Sequence, residues 1–342
     1  MKTAVVFSGN LRTFFMPLRE NPSIRVCDVL LNNVVTSTNA DVYISTDTEN
    51  FYLDGVQYFY VKDKLEETKI LETYNFDSMR FHNKIEFIEY EDAYKLLKPK
   101  LENFFGNSLK SLIINEPYDV TKDSKYEFLK RNTNAGSIPE FLISQHRKSF
   151  LAYDEICNYE SINGKYDVII KSRFDNVIVP NINLAAYNFN SVDLYVPFIK
   201  GPVYFDWSAI GNRKAMHHYL TMYNKLGNTL AAGESWLYSC SRCNYSLVDE
   251  KSHKNLIAIP ACPRCGKNDC IVAENVTMAS EHHVCHMVRT ENLKCAVALN
   301  QTHIYRYNDS SNPLDLDFIK SMNLGSVKLR SYKMEGITEH SI

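Results

Sequence analysis

The 342-residue sequence has no apolar run near the roughly 20 residues that a membrane-spanning helix needs. No sign of charge dominates either: 38 Lys and Arg stand against 40 Asp and Glu, a formal net charge of −2. Without a basic excess, a nucleic-acid backbone is not the expected main partner. Internal repeats and low-complexity tracts are absent, which sets aside solenoids and compositionally disordered chains. There is no P-loop and no G-x-G-x-x-G. Residues 1–10 turn polar too soon for a secretion signal and read as a first strand. Nine cysteines without such a signal argue against a disulfide framework and for a reducing, cytoplasmic compartment.

What is present is the composition of a globular protein, long enough for one large domain or two ordinary ones. Residues 3–7 and 41–46 are apolar strands around a helical pattern at 26–35, the order of a parallel βαβ unit. Further helices are predicted over 91–105, 139–158, 214–226 and 280–293. Strands are predicted over 84–90, 193–197, 295–299 and 302–307. Residues 107–137 are polar, carry turn residues and read as a loop.

The most informative stretch is 165–179. A buried strand at 166–170 is followed by Lys171, Arg173 and Asp175 at alternate positions. Strand period two would face these three the same way. Two cations and a carboxylate at the end of an apolar strand are costly without partners. A diphosphate with a divalent metal would use them all, the cations on phosphate oxygens and the carboxylate on the metal. A salt-bridged sheet edge would use them equally well. Ser8-Gly9-Asn10 ends the first strand, where a glycine lets backbone approach a ligand, and Arg12 follows as a possible phosphate partner or an ordinary surface arginine.

Cys240 and Cys243, then Cys262 and Cys265, form two C-x2-C knuckles separated by 18 residues. That spacing predicts a four-cysteine zinc site, and four thiolates close the shell, so the zinc would be structural. The predicted organisation is one domain over 1–232 and 276–342 with a zinc-ribbon insertion at 233–275. Arg242, Lys251, Lys254, Arg264 and Lys267 make the insertion basic, which suits an acidic partner or simply a solvated face. Cys27, Cys157, Cys285 and Cys295 lie in apolar contexts and read as core.

Several segments together resemble a glycosyltransferase-like family, of the WavE lipopolysaccharide-synthesis type and related proteins of bacteria and large DNA viruses. The residues are Val5-Val-Phe-Ser-Gly-Asn-Leu-Arg-Thr13, Asp41-Val-Tyr-Ile-Ser-Thr46, Gln145 and Lys148. Tyr166-Asp-Val-Ile-Ile-Lys-Ser-Arg-Phe-Asp175, Asp206-Trp-Ser-Ala-Ile-Gly-Asn212 and Ser280-Glu-His-His283 complete the set. The resemblance implies a GT-A type fold, a Rossmann-like and mostly parallel sheet with flanking helices that binds a nucleotide-sugar. It also implies a host-cell cytoplasm or virion location if the chain is viral. Such a fold places Asp-x-Asp at the end of a central strand. Here that position is Arg173-Phe-Asp175, with one acid of the pair. Either Arg173 replaces part of a metal's charge, or Asp175 binds Mn²⁺ or Mg²⁺ with Asn176 and water.

The expected function is sugar transfer from a nucleotide-sugar donor to a glycan or other hydroxyl acceptor. Ser8, Gly9, Arg12 and Thr46 would line the nucleotide, while Lys171, Arg173 and Asp175 would hold the diphosphate and any metal. The candidate bases are Asp206, beside the sugar-stacking Trp207, and Glu281, with His282 and His283 as lesser candidates. The main rival is a degenerate transferase fold kept as a scaffold, binding a protein or nucleic acid through the zinc ribbon. A nucleotidyltransferase would need a second well-placed carboxylate.

Overall fold

A computed structural model describes residues 1–18, 21–73, 84–127, 139–197, 199–200, 203–204, 206–226, 236–240, 246–249, 271–275, 284, 287–288 and 291–304. The first strands are β1 (Thr3–Ser8), β2 (Asp41–Asp47), β3 (Asn50–Leu53), β4 (Val56–Tyr60), β5 (Lys84–Ile88), β6 (Leu109–Asn115), β7 (Val168–Ser172) and β8 (Asn176–Val179). They continue as β9 (Leu194–Val196), β10 (Ile199–Lys200), β11 (Val203–Tyr204), β12 (Ser208–Asn212), β13 (Trp236–Cys240), β14 (Ser246–Asp249), β15 (Ile271–Asn275), β16 (Cys295–Val297) and β17 (Gln301–Ile304). The main helices are α1 (Val26–Leu30), α2 (Lys64–Thr73), α3 (Tyr90–Phe105), α4 (Pro139–Asn163), α5 (Arg213–Leu220) and α6 (Met222–Lys225). Among the described residues no helix is long and apolar enough to cross a membrane.

Seven strands form one sheet in the order β16-β9-β12-β7-β1-β2-β6. Every pair in it is parallel except those of β12, which runs against β7 and β9. The architecture is mixed α/β with a mostly parallel sheet, compatible with a Rossmann-like fold. β1 is buried along its whole length because helices cover both faces. Its alternate residues serve two cores. Val5 and Phe7 pack with Val42, Ile44, Ile170 and the apolar faces of α1 and α3. Ala4 and Val6 pack with Tyr43, Ile169 and side chains of α4 and α5.

The βαβ start stands as predicted, β1 and β2 pairing in parallel. The predicted loop at 107–137 instead contains β6, the sheet's edge strand. Only Ile114 of it is fully buried, so the period-two signal is diluted. A hairpin of β3 and β4 was not predicted, although its Asp54-Gly55 turn carries the signal: both residues have positive φ, 48° and 88°.

Within 233–275, β13, β14 and β15 form an antiparallel sheet of their own, in the order β14-β13-β15. Cys240 closes β13, whereas Cys243, Cys262 and Cys265 lie outside the described residues. β16, from beyond this segment, returns to the large sheet beside β9.

Candidate functional site

In the sheet, β2 and β6 lie on one side of β1, while β7, β12, β9 and β16 follow one another on the other side. The strand order therefore reverses between β1 and β7. In open α/β sheets, ligands bind outside the carboxyl ends at such a switch point. The register aligns Phe7 with Ser172 and Ser8 with Ser45. Gly9-Asn10, Asp47-Thr48-Glu49 and Arg173 thus emerge side by side. Gly9 has φ 128°, and a Cβ there would meet nothing within 4 Å, so the backbone faces open space.

The N-terminal half of α4 lies over these ends. Gln145, His146, Lys148 and Ser149 recur at helical spacing, and all four reach the sheet or its loops. The Ser149 and Ser8 hydroxyls are 2.8 Å apart. The Lys148 ammonium pairs with the Asp47 carboxylate and donates to the Asn10 side-chain oxygen. The Asn10 amide in turn donates to Glu49 at the exposed rim. Lys148 and Asp47 are only 4% and 3% exposed, so neither charge is tolerated without the other.

A second network forms because β12 enters antiparallel to β7. Ser208 aligns with Ser172, which brings the preceding Asp206 and Trp207 to the same end of the sheet. Lys171 donates to the Asp206 backbone oxygen at 2.6 Å, and the Tyr219 hydroxyl donates to it at 3.0 Å. The Asp206 carboxylate accepts from Gln145. Burial lowers the Lys171 ammonium to about 8 against the raising effect of Asp206. Burial also holds His146 at about 4, a neutral imidazole beside the same pair.

The expected common face of Lys171, Arg173 and Asp175 does not form. β7 ends at Ser172, and Phe174 turns into the aromatic core, its ring centroid 5.8 Å from Phe7 and 5.1 Å from Phe14. Period two stops with the strand. Lys171 points under α4, while Arg173 and Asp175 face each other across a turn. Arg173 donates Nε to Asp175 Oδ1 at 2.8 Å and Nη2 to Oδ2 at 2.7 Å.

This geometry tests Asp175 as a ligand of Mn²⁺ or Mg²⁺. Both carboxylate oxygens hold the guanidinium, and Asp175 is 4% exposed. Asn176 donates to Ser172 and to the Trp207 backbone, leaving its buried Oδ1 without a protein partner. That single acceptor does not offset the occupied carboxylate. A divalent ion here would break a bidentate ion pair and sit against a guanidinium, so the residues do not fit it. Among the described residues no cluster of three or more His, Cys, Asp or Glu is disposed to hold a metal.

Of the other predicted residues, Ser8 and Gly9 lie at the site, and Arg12 is exposed on the loop that follows. Thr46 alternates away from Ser45 and Asp47. It is fully buried and donates to the Asp47 backbone oxygen at 3.3 Å, so its side chain lies inside the fold and not on the open carboxyl end of the sheet. Glu281, His282 and His283 lie outside the described residues. Missed as site members were Asn10, Asp47, Glu49 and His146. The legible signal for Asp47 was its place at the carboxyl end of a buried strand. A separate cleft of about 460 Å³, lined by Phe15, Arg25, Tyr52, Asp54 and Phe104 among others, contains none of these residues. No family model matches the chain, and a search of curated proteins finds no match.

Proposed function

We propose that this chain is a glycosyltransferase that moves a sugar from a nucleotide-sugar to a glycan or other hydroxyl acceptor. The observation that carries this reading is the gathering of Lys148, Lys171 and Arg173, each with an oxygen partner, at the switch point of a mostly parallel sheet. Transfer breaks the bond from the anomeric carbon to a diphosphate oxygen and forms one to the acceptor oxygen. The acceptor proton passes to a base, and the departing diphosphate gathers negative charge. Fixed cations in a water-poor setting stabilise that charge without reorganising. Asp206 is the candidate base, with the half-buried Trp207 beside it to stack on a sugar face; Glu281 is the second candidate. The four cysteines are assigned a structural zinc on their spacing.

One observation favours the scaffold reading instead: Asp175, the single acid of the expected pair, is consumed by Arg173. Thermal unfolding with saturating nucleotide-sugars of each common base, with and without Mn²⁺, separates the two. A ligand at about 100 times its dissociation constant adds about 2.7 kcal/mol to the folded state. The expected result is selective stabilisation by one base, lost in the charge-neutral double variant Asp47→Asn with Lys148→Met. If no nucleotide-sugar stabilises the protein under either condition, the transferase reading fails and the scaffold reading replaces it.

A further inference from the structure

We propose that the donor diphosphate is held by Arg173 itself, with Asp175 as the residue that orients the guanidinium, and that no divalent cation binds at Asp175. This rests on the transferase reading and assigns the source of positive charge within that site.

Four observations converge on it. Arg173 follows the carboxyl end of β7 directly, level in register with Ser8, the last residue of β1 before Gly9, where the strand order reverses. The Asp175 carboxylate is used at both oxygens, by Nε and Nη2 of Arg173, at 2.8 and 2.7 Å. The Arg173 side chain is 18% exposed against 5% for Asp175, so an incoming anion meets the guanidinium before the carboxylate. Gly9, whose own N–H donates to the Ser45 carbonyl at 3.3 Å, leaves open space where a Cβ would stand beside the neighbouring strand end, room for a ligand.

The chemistry follows from the shape of the guanidinium. It carries five N–H donors in a planar fork, enough to serve a second acceptor while Asp175 keeps one edge. A carboxylate on that edge fixes the plane, so the group presents donors in one direction instead of sampling rotamers. Lys148 reinforces the charge from α4, its ammonium already set between the Asp47 carboxylate and the Asn10 oxygen. Lys148, Lys171 and Arg173 each have a protein carboxylate or carbonyl as partner. Diphosphate binding is then an exchange of contacts on prearranged cations.

The metal-ligand assignment and this one predict opposite outcomes for the same variants. The probes are inorganic pyrophosphate and the UDP, GDP, CDP and ADP series, titrated calorimetrically into the full chain in buffer freed of divalent ions on a chelating resin, without soluble chelator, and again in Mn²⁺. The expected result is affinity within about twofold between the two conditions. Arg173→Met should weaken binding about tenfold or more in both, because a charge-assisted pair is lost. Asp175→Asn should weaken it less than tenfold, since the amide oxygen still accepts from Arg173. The double variant Arg173→Met with Asp175→Asn removes both charges together. It serves if the single Arg173→Met fails to fold, and it should bind as weakly as that single variant. Binding that requires Mn²⁺, disappears in Asp175→Asn and survives in Arg173→Met overturns this inference and leaves the transferase reading standing. Absence of binding by any probe in both conditions overturns both.

Discussion

At the scale of single residues, Lys171 shows how the site trades stability for charge. Its ammonium is 1% exposed, and its hydrogen-bond partner is a carbonyl, not a carboxylate. Burial brings it from an ordinary 10.5 to about 8. Because the folded value lies below the unfolded one, the unfolded chain holds more protons between about pH 8 and 10.5. Stability attributable to Lys171 therefore rises with pH across that window, and the cost of burying the ammonium is present in full below it. Lys171→Met removes that cost. The Asp206 carbonyl keeps the Tyr219 hydroxyl as donor, so no acceptor is orphaned. Urea midpoints at pH 7 should place the variant level with or above wild type, and the difference should shrink by pH 10. A variant less stable by more than about 2 kcal/mol at pH 7 contradicts this, since that loss is the size expected for an orphaned buried group. On the proposed transferase function, turnover of a nucleotide-sugar should fall about tenfold or more, as for removal of a preorganised charge. Composition made the charges at 171, 173 and 175 legible but not their partners. Period two holds only while the strand lasts, and Phe174 ends it by entering the core. Lys148 and Asp47 lie far apart in the chain, so their pairing is a property of the sheet's register and of where α4 crosses it.

At the scale of elements, β1, β2, α3 and α4 were legible because their apolar residues repeat at strand or helix spacing and face a real core. β6 was not, because an edge strand shows the core only part of one face. The direction of β12 was not legible either, since nothing local distinguishes a parallel from an antiparallel partner. The segment after β6 is held by an equally nonlocal device. Asp123 accepts from the Tyr118 hydroxyl at 3.2 Å, the Tyr223 hydroxyl at 2.6 Å and the Lys125 amide at 2.9 Å. It thereby ties the turn after β6 to α6, while Arg147 of α4 stacks 4.1 Å from the Tyr118 ring. Burial alone would raise this carboxyl, but the Tyr223 and Lys125 hydrogen bonds outweigh it and pull it below the usual range. The contribution is thus full at neutral pH and is lost as pH falls through the acid range. Asp123→Ala leaves two hydroxyls and an amide without their acceptor, and should cost about 1–3 kcal/mol in urea unfolding at pH 7. Hydrogen exchange should speed up over 116–127 and 222–225 before it does in β1 or β7. A stability change under about 0.5 kcal/mol, with exchange unaltered, would show that the segment is held by its apolar contacts with Ile143 instead.

At the scale of the whole molecule, one sheet is assembled from both sides of a segment that folds on a separate sheet. β9 and β12 precede 233–275, β16 follows it, and β16 still pairs with β9. β13, β14 and β15 meanwhile pair with one another. Three strands of four or five residues cannot bury enough apolar surface to hold themselves together, and small units of this size lean on a metal or a disulfide. The two C-x2-C knuckles have the spacing of a four-cysteine zinc site, which is the metal proposed for this segment. Folding of the segment should then be linked to zinc and that of the large sheet should not. Elemental analysis of the purified chain is expected to find about one zinc per molecule, and Cys262→Ser should abolish it. Under a strong zinc chelator, hydrogen exchange should accelerate over 236–240, 246–249 and 271–275 while β1, β2 and β7 keep their protection. A metal-free preparation with the same exchange pattern would remove zinc from the account. Loss of protection across both sheets together would mean that the segment is an integral part of one cooperative unit, and that the chain has no separable insertion.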